Sequence, residues 1–430
     1  MKKPHIPGKV CAVVGAIALA SLVAAPGAIA ATAHESSPTP QASGMNAAFM
    51  EYLPAPKAPA SVCVVDTGVD LTADTQPFVT SRLSVTADGL LDDMLLPYGH
   101  GTSVAAVMGS PRNGVGGVGL WPHVRVVSVR ATSELYAGQA NFTWNDYHRA
   151  LELCLQVPEI KTVNFSLGGS VGGADYFLFM DEVLKANALG VSVVAAAGNT
   201  PGAPAYPAAA AGVVAVAAND ARAGGSLCWF SASVPGILSA PGCNVEASSK
   251  PGDVFAWDGT SFAAPLVSAL LTSLRAYRPD LSRQQVEDIV RQSGHLGADG
   301  VSVGVDAEAA FRAAGLGAMV DAAKAQAPGA GPAVDAPPSM DGATVVVRSA
   351  APKVRWVRKV NGVVVIRLAP LGTGVRLKLS GSGRYRRVNA TTIRATPAAG
   401  VWRLMLRAVA PDGTTSIAKV VSVASKKVTK

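Results

Sequence analysis

The hydrophobic positions between residues 61 and 315 fall into two alternating kinds of segment. Short valine-rich runs bounded by glycine or proline are typical of buried strands, and longer stretches with apolar residues three or four apart are typical of helices. The predicted strands are 124–130, 162–167, 191–197 and 213–218, and the predicted helices are 144–156, 174–189, 263–276 and 281–292. This alternation predicts an α/β domain whose parallel sheet is covered by helices on both faces.

Beyond residue 341 the hydrophobic period changes to two. Apolar residues alternate with basic or small ones at 363–368, 375–379 and 401–407, with turn residues such as Asp412-Gly413 outside these runs. The pattern predicts a small all-β, sandwich-like domain at 342–430. Residues 317–341, rich in glycine, alanine and proline, are predicted to be a linker.

The first 30 residues combine early lysines, an apolar run at 10–25 and the small-residue site Ala28-Ile29-Ala30. This arrangement predicts a secretory signal peptide. An uncleaved membrane anchor is the alternative, but the run is shorter than the roughly 20 residues that span a bilayer. Residues 31–60 are predicted to be an extended Pro/Ala-rich leader that precedes an α/β domain at 61–316. We therefore expect an exported protein, extracellular or associated with the cell envelope, with no transmembrane segment in the mature chain.

Charge is distributed unevenly along the chain, whose overall formal charge is +8. Residues 342–430 contain 18 lysines or arginines and a single acid, Asp412. A basic surface on an exported protein attracts anionic polymers. Without an aromatic stacking series or a nucleic-acid-binding motif, the pattern favours an anionic cell-envelope polymer over a specific nucleic acid. The alternative is a solubilising face, or one that contacts the acidic remainder of the chain.

Four cysteines lie beyond the predicted signal peptide, in what would be an oxidising compartment. Four cysteines allow three pairings. Cys228–Cys243 is favoured because both residues lie in one loop-rich stretch. Cys63 and Cys154 fit either a disulfide or two buried thiols that act as small apolar groups.

Three separated glycine-containing motifs supply an acid, a base and a nucleophile. Asp66 follows a valine-rich strand in Val-Val-Asp-Thr-Gly, His100 lies in Gly-His-Gly-Thr-Ser, and Ser261 lies in Gly-Thr-Ser-Phe-Ala-Ala-Pro. A serine hydroxyl attacks a carbonyl only when a base removes its proton, and a carboxylate orients that base. Taken singly, these residues fit a turn after a strand, a capping or core histidine, and a helix N-cap. Together, in the order Asp, His, Ser, they resemble the subtilisin-like serine proteases, the subtilase family.

The resemblance runs from about residue 61 to residue 315. It implies the subtilisin fold and a secreted serine endopeptidase that forms an acyl-enzyme on Ser261 during hydrolysis of proteins or peptides. Asn199, at the end of Ala-Ala-Ala-Gly-Asn, would donate a hydrogen bond to the oxyanion. The alternative for Asn199 is a tight turn with a left-handed asparagine. For the whole chain, the alternatives are a catalytically silent binding or scaffold protein and an esterase or ligase on the same machinery.

The resemblance also implies the walls of the substrate cleft. One wall would contain Ser166, Leu167 and Gly168, and the other would contain Ala195, Ala196, Ala197 and Gly198. The small size of residues 195–198 indicates a pocket open to a large apolar side chain. Residues 133–138 stand where the family pairs a strand with substrate, although a surface loop is the alternative.

Some positions depart from the family pattern. Tyr98 stands where an acid is common, Ala106 where glycine is usual, and Leu266 where many members carry histidine. None of these changes removes a catalytic group. The predicted leader is too short for the folded pro-domain that many secreted members carry.

Some members of the family bind calcium, so calcium stays open as a cofactor, but no site is identifiable in this sequence and no metal ligand is predicted. Asp88, Asp92 and Asp93 lie in one predicted loop. We expect these three acids to be solvated.

Overall fold

A computed structural model describes residue 35 and residues 39–327, except 96–97, 133, 137–138, 170–174, 222–224 and 251–252, together with the backbone of seven later strands. The helices are α1 (Pro40–Gly44), α2 (His100–Gly109), α3 (Trp144–Leu155), α4 (Asp175–Ala188), α5 (Thr260–Tyr277), α6 (Arg283–Ser293), α7 (Ala307–Ala313) and α8 (Gly317–Gln326), and a 3-10 helix spans Ala48–Tyr52. The strands are β1 (Ser61–Asp66), β2 (Val79–Ser84), β3 (Arg125–Arg130), β4 (Glu134–Tyr136), β5 (Gln139–Asn141), β6 (Ile160–Phe165), β7 (Ser192–Ala196), β8 (Val213–Asp220), β9 (Ser226–Leu227), β10 (Leu238–Pro241), β11 (Val245–Ser248), β12 (Val254–Trp257), β13 (His295–Leu296), β14 (Val303–Gly304), β15 (Val354–Val360), β16 (Val363–Leu368), β17 (Arg376–Ser380), β18 (Ser382–Asn389), β19 (Thr392–Pro397), β20 (Arg403–Val409) and β21 (Ala418–Ser422).

The main sheet has the strand order β13-β14-β10-β8-β7-β6-β1-β3-β2, with β9 paired to β8. Its pairs are parallel except β13–β14 and β8–β9. Every residue of β1 and β7 is buried. Such continuous burial requires cover on both sides of the sheet, which the valine-rich runs predicted.

Successive residues of β1 enter different hydrophobic clusters. Val62 and Val64 pack in the cluster that contains Leu270 of α5, whereas Cys63 and Val65 pack in the cluster that contains Leu151 of α3. Because side chains alternate across a strand, the two clusters lie on opposite faces of the sheet. The predicted α/β class, with helices on both faces, is confirmed.

The carboxyl ends of the parallel strands place the chemistry-bearing loops. Strand β1 ends at Asp66, β6 ends one residue before Ser166, and β7 ends three residues before Asn199. Neighbouring parallel strands end at one edge of their sheet, where open α/β sheets form their sites. Helix α5 packs against α2 and against β6 and β7, which brings its first turn to the same region.

The expected extended leader is wrong for residues 40–52. Thr39 caps α1 by accepting a hydrogen bond from the backbone N–H of Ala42, and the 3-10 helix follows. Met45 and Phe49 are buried, and the Phe49 ring lies 5.2 Å from that of Phe311. Burial of these apolar side chains makes the segment part of the α/β core. The predicted signal peptide, residues 1–30, lies outside the described residues.

The predicted linker is also wrong in its first part. Residues 317–326 form α8, which buries Val320 and Ala323 in the core. The rest of that linker, 328–341, lies outside the described residues. Further on, β15, β16, β19 and β18 form one sheet, whereas β21, β20 and β17 extend the β11–β12 hairpin. The join is parallel pairing of Phe255 and Ala256 with Ala418 and Lys419.

Two disulfides stabilise the α/β domain. Cys228–Cys243 confirms the favoured pairing. Cys63–Cys154 joins β1 to α3, which resolves the choice left open by the sequence in favour of a disulfide. In the described part of the chain, no helix has the length and apolar character needed to cross a membrane.

Candidate active site

Asp66 and His100 form a direct hydrogen bond. The Asp66 side chain is almost fully buried at the end of β1, and its Oδ1 lies 2.8 Å from Nδ1 of His100. The same oxygen accepts a hydrogen bond from the backbone N–H of Thr67 at 2.7 Å. With its Nδ1 proton donated to Asp66, the neutral imidazole carries its acceptor lone pair on Nε2, which can take up a proton.

The sequence around His100 allows the close approach of α2 to β1. The helix begins at His100, after Gly99 as N-cap. A methyl group on Gly101 would clash with the carbonyl oxygen of Gly68 and would lie 3.0 Å from Cβ of Asp66. Glycine at this position therefore lets the histidine reach the carboxylate.

Ser261 is the second residue of α5, and Gly259 is the N-cap of that helix. The Ser261 hydroxyl donates to the carbonyl oxygen of Ser166 at 3.0 Å, and the Ser166 hydroxyl donates to the carbonyl oxygen of Ser261 at 2.7 Å. The ring of Phe262, the next residue, lies 5.7 Å from that of His100. Ser261 thus immediately precedes a residue whose ring lies beside that of His100, and its hydroxyl is directed to Ser166.

A buried polar chain extends behind this reciprocal pair. Asn164 donates from Nδ2 to the Ser166 hydroxyl at 2.9 Å and accepts from the Ser268 hydroxyl at Oδ1 at 3.0 Å. Ser268 is itself buried within α5. Because both ends of the chain lie on α5, the network holds the serine-bearing turn against the end of β6.

Asn199 is oriented by the residue that precedes Ser261. Its Oδ1 accepts hydrogen bonds from the backbone N–H and the hydroxyl of Thr260, both at 2.9 Å. These two donors fix the carboxamide so that Nδ2 is its free donor end. A Cβ built on Gly259 would lie 3.5 Å from Nδ2 of Asn199 and 3.7 Å from the backbone nitrogen of Ser261. Nδ2 of Asn199 and the backbone N–H of Ser261 therefore lie around one point, as two donors to a single oxyanion would.

The expected walls of the cleft are joined by a crossing segment. Gly169 and Tyr206 exchange backbone hydrogen bonds at 2.8 and 3.2 Å, and the N–H of Ala205 donates to the carbonyl oxygen of Ala197 at 2.8 Å. Gly198 is half-buried beside Ala205. Residues 205–206 thus fix the spacing between the two walls.

Not every residue expected in the walls lies at the surface. Gly168 is exposed, whereas Leu167 is buried in the hydrophobic cluster that contains Ala195. Ala195 and Ala196 are both buried inside β7. Ala197 is buried as well, so Gly198 is the residue of the second wall that reaches the surface.

The segment expected to pair with substrate forms a hairpin. Strand β4 pairs with β5 through Glu134–Asn141, Leu135–Ala140 and Tyr136–Gln139. Among the described strands, the other edge of β4 has no partner. One edge of this segment thus remains available for an added strand.

The three departures from the family pattern are accommodated in the core. Tyr98 is buried with its ring 5.0 Å from that of Phe255. Ala106 on α2 and Leu266 on α5 are also buried. All three departures are therefore buried side chains.

The expectation of solvated acids is wrong for Asp93, which is 2% exposed. Burial, with the nearby charge of Asp66, raises the pKa of Asp93 from 3.8 to about 6, against the effect of hydrogen bonds from Thr102, Leu95 and Thr67. Asp88 and Asp92 instead pair with arginines.

Among the described residues, no group of three or more His, Cys, Asp or Glu side chains could hold a metal ion. Asp74, another buried acid, accepts hydrogen bonds from Ser248, Gly117 and Asn113. Burial raises its pKa despite these donors.

Comparison with known proteins agrees with this geometry. The profile of the peptidase S8 subtilase family matches residues 57–317, more than half of the 430 residues. The chain belongs to the subtilase family.

Curated relatives of this subtilase are proteases of bacilli. It is 29% identical over 241 residues to a thermostable alkaline protease of Halalkalibacterium halodurans, with 54% of this chain and 62% of the relative covered. It is 30% identical over 262 residues to alkaline elastase YaB of a Bacillus strain, covering 58% and 64%. Subtilisin E of Bacillus subtilis is 29% identical over 242 residues, covering 53% and 58%. The chain thus spans about three-fifths of the length of these relatives.

Sequence reasoning missed several residues that support the subtilase site. Thr260 orients Asn199, Asn164 supports Ser166, and Asp93 contacts the first turn of α2. Thr260 lies inside the motif recognised around Ser261, so the sequence already indicated that this residue is part of the site. Asn164 lies two residues before the expected wall residue Ser166, but its bond to Ser268 spans 104 residues, and Asp93 is bonded by Thr67 across 26 residues, so no local pattern indicated these contacts.

Proposed function

We propose that the chain is a serine endopeptidase in which Ser261 is the nucleophile, His100 the general base and Asp66 the residue that orients the base. The observation that carries this proposal is the 2.8 Å hydrogen bond from His100 to a buried Asp66, beside the serine-bearing turn of α5. Membership of the subtilase family supports the same roles.

Acylation begins when the Ser261 hydroxyl turns from the Ser166 carbonyl oxygen toward Nε2 of His100. As Oγ attacks the scissile carbonyl carbon, its proton passes to Nε2, and Asp66 stabilises the imidazolium. The imidazolium then donates that proton to the leaving amine. The Ser166 carbonyl, released by the hydroxyl, is free to accept a hydrogen bond from substrate backbone.

The oxyanion forms beside Asn199 Nδ2 and the backbone N–H of Ser261. Both donors are fixed before the reaction, one by Thr260 and the other by the first turn of α5. Fixed donors stabilise developing charge without the cost of reorganisation. In deacylation, water replaces the amine, and His100 takes a proton from that water.

The substrates are proposed to be proteins or peptides that bind as an added strand along β4, with a large apolar side chain entering between the two walls. The free edge of Glu134–Tyr136 and the apolar wall around Leu167 and Ala205 support this proposal. Digestion of a proteome-derived peptide library, followed by mass mapping of the products, tests it. Cleavage that follows charged residues instead of large apolar ones would contradict the proposed pocket.

A fluorophosphonate probe tests the nucleophile directly. We expect labelling of Ser261 in the folded wild-type protein and none in Ser261→Ala. A matched control is Ser268→Ala, a serine on the same helix whose hydroxyl bonds to Asn164. Absence of label from folded wild-type protein would favour a catalytically silent scaffold, and labelling with ester but not peptide turnover would favour an esterase.

We also propose export, with retention at the cell envelope by the basic region 342–430. Its 18 lysines and arginines against one acid support attraction to an anionic polymer. The test is cell fractionation of the full chain with Arg384, Arg386 and Arg387 changed to glutamine, compared with the same three changed to lysine. Release of the glutamine variant alone into the medium is expected, whereas equal distribution of both variants would contradict the proposal.

A further inference from the structure

Asp93 differs from the acids around it. It lies between β2 and α2, 2% exposed, whereas the carboxylate of its neighbour Asp92 is 71% exposed and pairs with Arg82. Four donors reach the Asp93 carboxylate. A buried carboxylate is tolerated only with such partners, so their identity indicates what this residue does.

Two of those donors belong to the helix that carries His100. The backbone N–H and the hydroxyl of Thr102 donate to Oδ2 of Asp93 at 2.8 and 2.9 Å. The N-cap of α2, Gly99, has no side chain that could cap the first turn. Asp93 therefore supplies the missing cap from outside the helix, and its charge lies at the positive end of the helix dipole.

A third donor lies beside the carboxylate that orients His100. The Thr67 hydroxyl is 2.8 Å from Oδ1 of Asp93 and 3.1 Å from Oδ1 of Asp66. The same hydroxyl oxygen accepts a hydrogen bond from the backbone N–H of Gly101 at 3.1 Å. Since a hydroxyl has one proton, Asp93 and Asp66 compete for the same donor.

The charged groups around Asp93 come from three directions. Asp66 faces it across Thr67, and His100 follows in the same hydrogen-bonded series. On the third side, Lys250 donates to the backbone carbonyl oxygen of Asp93 at 2.9 Å and pairs with Asp70 at 2.8 Å. Lys250 is thus shared with the backbone and with Asp70, and the fourth donor to the Asp93 carboxylate is the backbone N–H of Leu95 at 3.0 Å.

We propose that Asp93 is a positioning residue of the catalytic centre. Through its hydrogen bonds with Thr67 and Thr102, it holds Asp66 and His100 in their positions relative to each other. The proposal rests on the proposed protease function. Without this carboxylate, the first turn of α2 and the Thr67 hydroxyl lose their common partner. The hydroxyl then bonds only to Asp66, and the imidazole loses both its fixed position and a nearby negative charge that favours its protonated form.

The test is Asp93→Asn, which keeps the shape of the side chain and removes its charge. With a chromogenic peptide anilide, we expect kcat to fall roughly 10- to 100-fold with little change in KM, because misplacement of the base affects the transition state. We also expect the acid limb of the pH profile of kcat/KM to move to lower pH by about half a unit. Fluorophosphonate titration normalises kcat to folded, labelled protein.

Two further variants separate positioning from stability. Asp92→Asn, the same chemical change at the adjacent exposed position, should leave kcat and the acid limb unchanged. Thr67→Val combined with Asp93→Asn should cost less than the sum of the two single effects, because both changes remove the hydrogen bond that joins these residues.

Wild-type kinetics and labelling keep this inference separable from the proposed function. If the wild type neither labels nor turns over peptide, the protease proposal fails. If it does both, and Asp93→Asn loses stability while titrated kcat and the acid limb stay unchanged, Asp93 is structural only and this inference is overturned. Additive effects in the double variant would also overturn the route through Thr67.

Discussion

Replacing Asn199 by alanine separates transition-state stabilisation from substrate binding. The change removes Nδ2, one of the two donors beside the oxyanion position, and also the acceptor that Thr260 uses for both of its hydrogen bonds. The backbone N–H of Ser261 remains. The loss of one preorganised donor corresponds to about 3 kcal/mol, or a fall of about 150-fold in kcat.

The fall should appear in kcat, with KM nearly unchanged, because the oxyanion exists only after attack. The assay is steady-state hydrolysis of a peptide anilide, with each preparation titrated by the fluorophosphonate probe. Asn199→Asp serves as a matched variant, since it keeps an acceptor for Thr260 but has no donor. It should be as impaired as the alanine variant or more so, because its charge repels the oxyanion.

Thr260→Val completes the comparison, because it removes the hydroxyl bond to Asn199 and keeps the backbone one. We expect less than a fivefold loss of kcat, since one bond still holds the carboxamide. A loss below fivefold in Asn199→Ala, or a loss confined to KM, would refute the reasoning. Asn199 would then be a substrate contact or a cap of α5.

Three other predictions follow from the packing. Replacing Cys63 and Cys154 by alanine should lower the unfolding free energy by about 4.6 kcal/mol, because the disulfide spans a sequence separation of 91 residues. Guanidinium melts of covalently inhibited protein measure this loss, and a loss below about 2 kcal/mol would contradict the prediction. Gly259→Ala should lower kcat at least tenfold, because the added methyl group lies beside both oxyanion donors. The melting temperature should change little, since the methyl group meets its neighbours at ordinary van der Waals distances. Normal turnover would contradict the placement of the donors. Phe49→Ala should lower the free energy of unfolding by about 3–5 kcal/mol, since the buried ring packs on Phe311. Thermal or denaturant unfolding measures this loss, and kcat per titrated site should stay unchanged. A loss below about 0.5 kcal/mol would mean that the N-terminal segment is peripheral.

Local patterns predicted the sheet and the position of Asp66, whereas the other residues of the candidate site were predicted from the resemblance to the subtilases. Valine-rich runs require burial on both faces, and an acid that follows such a run must lie at the end of its strand. Asp66 could therefore be placed before the structure was known. Helix α5 was predicted from residue 263, and it begins three residues earlier, at Thr260.

Other features depend on contacts that no local pattern contains. The segment with Met45 and Phe49 looked like an extended leader because proline and alanine dominate its composition, yet its few large side chains are buried in the core. Cys63 and Cys154 are 91 residues apart and meet only because α3 packs on β1. Asp93 looked solvated because its donors come from Thr67 and Thr102, which only the fold brings to it.

The N-terminal segment and the last helices of the α/β domain lie side by side. The backbone N–H of Ala307 donates to the carbonyl oxygen of Met45 at 2.8 Å, Asn46 donates to Asp306 at 2.6 Å, and the 3-10 helix packs on α8. A tether attached at either end would consequently hold the α/β domain by the same side. A short peptide could join the end of α8 to the start of the N-terminal segment in a chain cut after α8. With new termini opened in an exposed loop, this should yield a circularly permuted form of the α/β domain.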